Sequence, residues 1–257
     1  MGAGRFGFDA ELLRKFVEPF TYYCFRPPEA VSAAFGVFLL GFNLGRPAAL
    51  EGGFGQVTEA LAERLNGLIE TEAVALDVIR MPGGFAIVYS QRGRLRRVRA
   101  RVLVVAVPAN VAARIVPEMC ERAAAVEYGS GRGTILAGRL KADADLHLRC
   151  ASGPGGSVIF GGEMRTAASG GHLLNLLTYR GEGAVEEARQ LFVGASVEQL
   201  AEYIIFPAAS APKPGQAPLP IDWGDGLFMA GDCVGLFPSQ ETAVSSGEQA
   251  ARLLTHV

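Results

Sequence analysis

Apolar positions near the start of the chain recur at helical spacing. Leu12, Leu13, Phe16, Val17 and Phe20 share one stripe of a helix expected over Asp9–Phe20, with Asp9 placed to cap it. Pro27-Pro28 interrupts this pattern, which resumes over Glu29–Leu40. A glycine-rich turn, Ala49–Gln56, leads into a helix over Val57–Leu68 with Val57, Leu61, Leu65 and Leu68 on one face. The period then changes. Ala73–Ile79 and Gly84–Ser90 read as a strand pair joined by Met81-Pro82-Gly83-Gly84, a strong turn signal. A third strand is expected over Arg96–Val107. It ends in the continuous apolar run Val102–Val107, expected to be buried on both faces as in an α/β layer, and Pro108 stops it.

Beyond Pro108 the pattern predicts a helix over Asn110–Ile115 and strands over Gly133–Leu140, Ser157–Phe160 and His172–Thr178. Gly181–Leu200 carries two amphipathic helical stretches divided near Val193-Gly194. Pro207–Pro220 is an extended, proline-rich loop. Leu227–Ala230 is a short buried strand, followed by Gly231-Asp232 and a helix from about Glu241 to Leu254. Strands and helices therefore alternate, and the chain reads as mixed α/β without an internal repeat.

Composition narrows the classes. The 257 residues are 49% apolar and 19% charged, with a net charge of −2. That balance argues against a nucleic-acid partner. Arg92, Arg94, Arg96, Arg97, Arg99 and Arg101 form the one dense basic block, and a solvated hairpin is favoured over an anion site. Cys24, Cys120, Cys150 and Cys233 lie far apart with no metal-ligand spacing, so no metal is expected. Reduced thiols and a cytoplasmic location follow as the default. The amino terminus is too polar for a secretory signal. The run Ala30–Leu44 is broken by Ser32, Gly36, Gly41 and Asn43 and falls short of a spanning helix. A buried or substrate-lining role is favoured there, with a peripheral membrane contact left open.

Two glycine features compete for attention. Gly2-Ala3-Gly4-Arg5-Phe6-Gly7 spells a dinucleotide fingerprint, but no strand enters it, and where a ribose-binding acid should end a second strand the sequence reads Phe25-Arg26-Pro27-Pro28. A flexible leader is the expectation. The segment Gly226–Arg252 is different. Its buried strand ends at Gly231, which permits close approach to the backbone. Asp232 then stands at the carboxyl end of the strand, where α/β folds bind ligands. The amides of Gln240-Glu241-Thr242-Ala243 open the following helix and can face partial negative charge. The small residues Ala243, Ser246, Gly247, Ala250 and Ala251 permit close helix packing. An ordinary strand–loop–helix reads equally well from these residues alone.

Ala230-Gly231-Asp232 and Ala243-Val244-Ser245-Ser246-Gly247-Glu248-Gln249-Ala250-Ala251 resemble the terminal flavin-binding motif of the FAD-dependent superfamily of phytoene desaturases, protoporphyrinogen oxidases and amine oxidases. Thr242 departs from the usual small residue and adds bulk near the flavin. Upstream, Gly52–Glu59 with Leu61-Ala62 is similar to the turn entering the second FAD-domain helix. Ala73-Val74 is similar to the strand whose backbone meets the adenine, and Val104–Pro108 to the strand returning before the substrate domain. Phe16–Leu40 is similar to the helical cap of the desaturase-like branch. These motifs stand in family order and cover nearly the whole chain.

The resemblance implies a FAD/NAD(P)-binding-like portion interleaved with a helical and mixed-sheet substrate domain. The implied division is a helical cap over 1–50, an FAD-domain portion over 51–110, a substrate domain over 111–220, and a terminal FAD-domain strand and helix over 221–257. It implies FAD binding through Val74, Gly231, Asp232, Glu241, Thr242, Ala243 and Val244. Tyr22, Tyr23, Phe25 and Phe42 either line a substrate passage or form the core of the cap, the latter being favoured. The Rossmann unit that clasps the FAD phosphates in this family is not among the recognised motifs. The expectation is therefore a FAD site shared with a separate Rossmann-bearing chain, and an apolar face left for it.

The flavin would accept hydride, while the protein orients the substrate and excludes water. The lysine of the amine-oxidase branch aligns near Ala137, with Lys141 the nearest alternative, and one of its tyrosines near Ser239. A desaturase-like reaction on a hydrophobic substrate is thus favoured over an amine-oxidase half or a non-catalytic structural partner. No catalytic residue is identified. His147 and His172 are read as packed or surface histidines, and a covalent flavin link at Cys233 is disfavoured.

Overall fold

The computed structural model describes residues 21, 25–43, 50, 53, 55–141, 149–151, 157–159, 164–165, 171–178, 184–194, 197–206, 210 and 213–254. In chain order the elements are α1 (Ala33–Asn43), α2 (Gly55–Arg64), β1 (Ala73–Met81), β2 (Gly84–Gln91), β3 (Arg94–Ala100), β4 (Leu103–Val105), α3 (Ala109–Ile115) and α4 (Cys120–Ala124). There follow β5 (Gly131–Gly138), β6 (Arg149–Ala151), β7 (Ser157–Ile159), β8 (Met164–Arg165), β9 (His172–Thr178), α5 (Ala184–Arg189), β10 (Glu198–Ile205), β11 (Leu227–Met229) and α6 (Gln240–Leu254). The chain is mixed α/β, as expected. The helix expected over Asp9–Phe20, the glycines at 2–7, Tyr22, Tyr23 and His147 lie outside the described residues.

The chain divides into two compact units. The first comprises Met1–Leu39, Glu127–Ala217 and Leu236–Pro238; the second comprises Leu40–Val126, Pro218–Gly235 and Ser239–Val257.

In the first unit an antiparallel sheet has the strand order β10-β5-β9-β8. Strand alternation builds its core. Leu136 stands opposite Leu174, and Thr134 opposite Leu176, so all four share one face. Leu136, Leu174 and Leu176 are fully buried with Ala188 of α5 and the adjacent Phe192. Each such leucine contributes about 1.5–3 kcal/mol relative to leaving it in water. On the other face the Tyr203 ring lies over Gly133, its partner in the ladder, and the Tyr203 hydroxyl reaches Asn175 Oδ1 at 3.1 Å. A side chain at position 133 would occupy the space of that ring. Phe25 is buried and its ring packs on Gly131, while Arg26 donates to Glu127 at 2.8 Å.

Two sequence expectations change here. The Glu29–Leu40 helix begins later, at Ala33, after a 3-10 turn over Pro28–Ala30. The Ser32 hydroxyl accepts the Phe35 amide at 3.2 Å and caps it. The second helical stretch expected before Leu200 is instead strand β10. It pairs antiparallel with β5 and carries a bulge between Gln199 and Ala201. Pairing with an existing sheet overrides the helical preference of Glu198, Gln199 and Leu200.

In the second unit β1, β2 and β3 form an antiparallel meander, and β4 and β11 form a separate parallel pair. The single strand expected over Arg96–Val107 is therefore two. Its first half pairs with β2 and its second half with β11, and the chain bends at Arg101-Val102 to change sheets. The expected burial on both faces also fails. Val104 is 36% exposed, and β4 has one neighbouring strand among the described residues. The helix expected to reach Leu68 stops at Arg64 and continues as a turn.

Arg80 fastens this unit together. Its guanidinium donates to Glu118 and to the Asp225 carbonyl, each at 2.8 Å, and lies 4.3 Å above the Phe85 ring. It thereby ties the meander to the segment following α3 and to the turn that launches β11.

Candidate functional site

Of the site predicted at Gly226–Arg252, Gly226–Gly235 and Ser239–Arg252 belong to the second unit. Leu227, Phe228 and Met229 are almost completely buried. One edge of their strand pairs in parallel with β4. The other is bonded to the preceding segment, with Trp223 N donating to Leu227 O at 2.9 Å and Met229 N to Ile221 O at 2.8 Å. This explains why three consecutive residues can be apolar without alternation. Ala230 N then donates to Val105 O at 3.0 Å, closing the ladder.

Gly231 follows with φ 144° and ψ −178°, a backbone region open to glycine and strained for other residues. The space beside it is open, since a Cβ there would meet nothing nearer than the Cys233 sulfur at 3.8 Å. The glycine is required by its conformation rather than by crowding. Asp232, half-buried, begins a 3-10 turn over Asp232–Val234, and Cys233 is buried. That turn packs on α6.

The start of α6 is more finished than the sequence suggested. Ser239 is its cap: Ser239 Oγ accepts the Thr242 amide at 3.1 Å and lies 3.0 Å from Thr242 Oγ1. Ser239 O accepts the Ala243 amide at 3.0 Å. Of the amides proposed to face a ligand, those of Thr242 and Ala243 are therefore taken. Those of Gln240 and Glu241 have no partner among the described residues. The Thr242 methyl packs on Gly235, so the bulk that departs from the family pattern is turned into the loop.

Ser246 joins the two halves of the site. Its buried hydroxyl accepts the Gly231 amide at 2.9 Å and lies 3.2 Å from the Gly231 carbonyl and 2.8 Å from that of Ala243. Both this link and the Ser239 cap were missed in the sequence. A serine three residues before Thr242, directly after Pro238, is a recognisable cap signal. Nothing local marked Ser246 beyond being the polar member of a small-residue stripe. Of that stripe Ser246 and Ala250 are buried, whereas Ala251 is exposed and Gly247 has open space beside it.

Gly231, Asp232 and the first turn of α6 are thus brought together. Glu241 is exposed, Ala243 half-buried and Val244 55% exposed. Val74 stands on the meander instead, 60% exposed and paired with Ser90. Phe25 belongs to the first unit and is buried against Gly131, a core position. Tyr22, Tyr23 and the Phe42 side chain lie outside the described residues. Ala137 sits near the carboxyl end of β5 opposite Leu173 and Glu198, and Lys141 is exposed. His172 Nδ1 accepts the Leu140 amide at 3.4 Å, a structural bond. Among the described residues no group of three acidic, histidine or cysteine side chains could hold a metal.

A bare glycine peptide, a carboxylate at a strand end and two unspent amides at the positive end of a long helix form one wall suited to a polar ring edge or ribose. These residues fit a flavin nucleotide on one side. No phosphate cradle accompanies them among the described residues.

The comparisons agree with this reading of the fold. The oxidoreductase from Methanosarcina mazei has a TM-score of 0.65 at 17% identity, covering 94% of this chain and 65% of that one. This chain therefore spans just under two thirds of that protein. A geranylgeranyl bacteriochlorophyll reductase-like protein from Thermoplasma acidophilum gives a TM-score of 0.49 at 15% identity, covering 78% of this chain and 52% of that one. The rebeccamycin biosynthetic enzyme RebC with reduced flavin gives 0.45 at 15% identity, covering 77% and 39%. Only the first is similar enough to support the fold. No curated protein matches the sequence significantly. The family model described as flavin containing amine oxidoreductase matches residues 2–205, and the chain belongs to that family.

Proposed function

We propose that this chain forms part of a FAD-dependent dehydrogenase or desaturase acting on a hydrophobic substrate, with the phosphate-binding Rossmann unit carried by a separate chain. The observation that carries this reading is the uncovered apolar surface of the second unit. No residue of α2 is buried. Val57, Leu61, Leu65 and Leu68 are 42%, 51%, 47% and 80% exposed. Helical spacing places the first three on one stripe, a pattern that ordinarily faces a core. Val104 on β4 and Val244 on α6 are uncovered as well. Parallel strands normally have both faces covered and an edge that is paired. A unit bearing a parallel strand and its helices would cover such a surface and supply the phosphate cradle.

Bound FAD would accept a hydride from the substrate. This chain's residues would hold the cofactor's edge. The Gly231 peptide gives close approach, Asp232 accepts hydrogen bonds from hydroxyl groups, and the Gln240 and Glu241 amides donate to acceptor atoms. Ser246 keeps these groups in register. By resemblance the amine-oxidase lysine aligns near Ala137, with Lys141 the nearest alternative, which supports oxidation of an apolar molecule over an amine.

The test is co-purification. The chain is expressed with a Rossmann-bearing flavoprotein chain, and the pair is compared with the double variant Leu61→Glu, Leu65→Glu. A complex formed by the native chain and lost in the variant supports the proposal. Equal recovery of both, or no complex with any such chain, contradicts it.

A further inference from the structure

The basic hairpin is not used by the flavin reading. Strand β3, Arg-Leu-Arg-Arg-Val-Arg-Ala, is exposed at every position but its last, Ala100. Its sole neighbour among the described residues is β2. Facing residues on that strand are Gln91 opposite Arg94, Tyr89 opposite Arg96, Val88 opposite Arg97 and Ala86 opposite Arg99. The whole of β2, Gly84–Gln91, contains no carboxylate. Arg92, in the turn, is paired with Glu72 at 2.5 Å, and Arg97 donates to the Met81 sulfur at 3.4 Å. Arg94, Arg96, Arg99 and Arg101 have no ion-pair partner among the described residues.

One or two charges suffice to blunt an edge strand against unwanted pairing. Six arginines between positions 92 and 101 exceed that need, and they do so in a chain whose net charge is −2. Arg94 and Arg96 share one strand face and Arg97 and Arg99 the other, and like charges two residues apart on a face repel. Apolar side chains stand among the arginines. Leu95, close to the Arg92-Gly93 turn, is 73% exposed, and Val98 is 48% exposed. A single-stranded nucleic acid would call for aromatic platforms, and β3 has none. Tyr89, opposite Arg96, has its hydroxyl committed to Glu70 at 3.1 Å. Clustered arginines with an exposed leucine at a hairpin tip match the surface of an anionic bilayer, where cations meet headgroups and the apolar group enters the interface. No helix among the described residues is long and apolar enough to cross a membrane, so such contact would be peripheral.

We propose that the free edge of the β2–β3 hairpin is a docking surface for an anionic lipid membrane, with Arg94 and Arg96 from one strand face and Arg99 from the other supplying the attraction and Leu95 the interfacial anchor. The proposal is independent of flavin binding.

The experiment is co-sedimentation of the full chain with phosphatidylcholine vesicles, with and without about one third phosphatidylserine. Binding is expected only with phosphatidylserine, and it should weaken steeply as salt is raised. The triple variant Arg94→Ala, Arg96→Ala, Arg99→Ala should bind tenfold to a hundredfold more weakly. Because these side chains are exposed, its circular dichroism should match the native chain. The Arg→Lys triple variant should retain binding. Leu95→Ser should bind several-fold more weakly with the same salt dependence. Equal binding to neutral vesicles, undiminished binding by the alanine variant, or tighter binding of a single-stranded oligonucleotide than of phosphatidylserine vesicles would overturn the proposal.

Discussion

The hydroxyl of Ser246 accepts the amide of Gly231 at 2.9 Å and so ties the end of a buried strand to the helix that follows it. The two residues are fifteen apart in sequence, and the loop between them carries Asp232 and the helix cap. Removing the hydroxyl leaves the Gly231 amide without its partner. Ser246→Ala should therefore cost about 1–3 kcal/mol. In urea denaturation the midpoint should fall while the slope stays the same. An unchanged midpoint would show that this bond does not hold the site.

Ser239 offers a second, smaller test at the same helix. Ser239→Ala removes the cap on the Thr242 amide and should cost about 1 kcal/mol. Ser239→Asp should retain most of that stability, because a carboxylate accepts the same amide and favours the helix's positive end. Thermal unfolding of the three proteins side by side reads the difference.

Much of this site was legible in the sequence because its information is local. Leu227–Met229 is an unbroken apolar run, Gly231 and Asp232 follow at once, and Gln240–Leu254 repeats at helical spacing. The strands β1, β2 and β9 announced themselves similarly through turns and alternation. What was not legible depended on distant partners. Glu198–Ile205 has helix-forming residues but meets the free edge of β5. Val104 looked like a buried strand residue, and its exposure depends on which strands flank β4. The Ser246 link could not be read because its partner is backbone, which every residue offers alike.

In the first unit the Tyr203 ring and Gly133 compete for one space. Gly133→Ala should destabilise the protein by about 1–3 kcal/mol through overpacking. The same change made in a Tyr203→Ala background should cost much less, because the ring is gone. A coupling of at least about 0.5 kcal/mol in the double-mutant cycle is expected. Strict additivity would show that the ring and the glycine are independent.

Glu127 should govern part of the acid sensitivity of that unit. Its hydrogen bond to Lys213 holds the carboxyl below its usual value of 4.5, burial opposes this, and Arg26 adds to the lowering. A carboxylate stabilised in the folded state contributes its full share above about pH 4.5 and loses it as pH falls through the lower folded value. Glu127→Gln should therefore be less stable than the native chain at pH 7. The difference should shrink as pH falls below about 4.5, as measured by denaturant unfolding across that range. A difference independent of pH would show that the ion pairs contribute nothing beyond packing.

In the proposed assembly, Gly231, Asp232 and the start of α6 form one wall of a FAD site completed by a Rossmann-bearing chain. The visible absorption spectrum of the purified complex tests it most directly, read against each chain alone and against the complex made with Asp232→Ala. Flavin absorbance in the native complex, absent from this chain alone and markedly reduced by Asp232→Ala, is the expected result. A stable complex that remains colourless after reconstitution with FAD, or one whose flavin content is unaffected by Asp232→Ala, would contradict it.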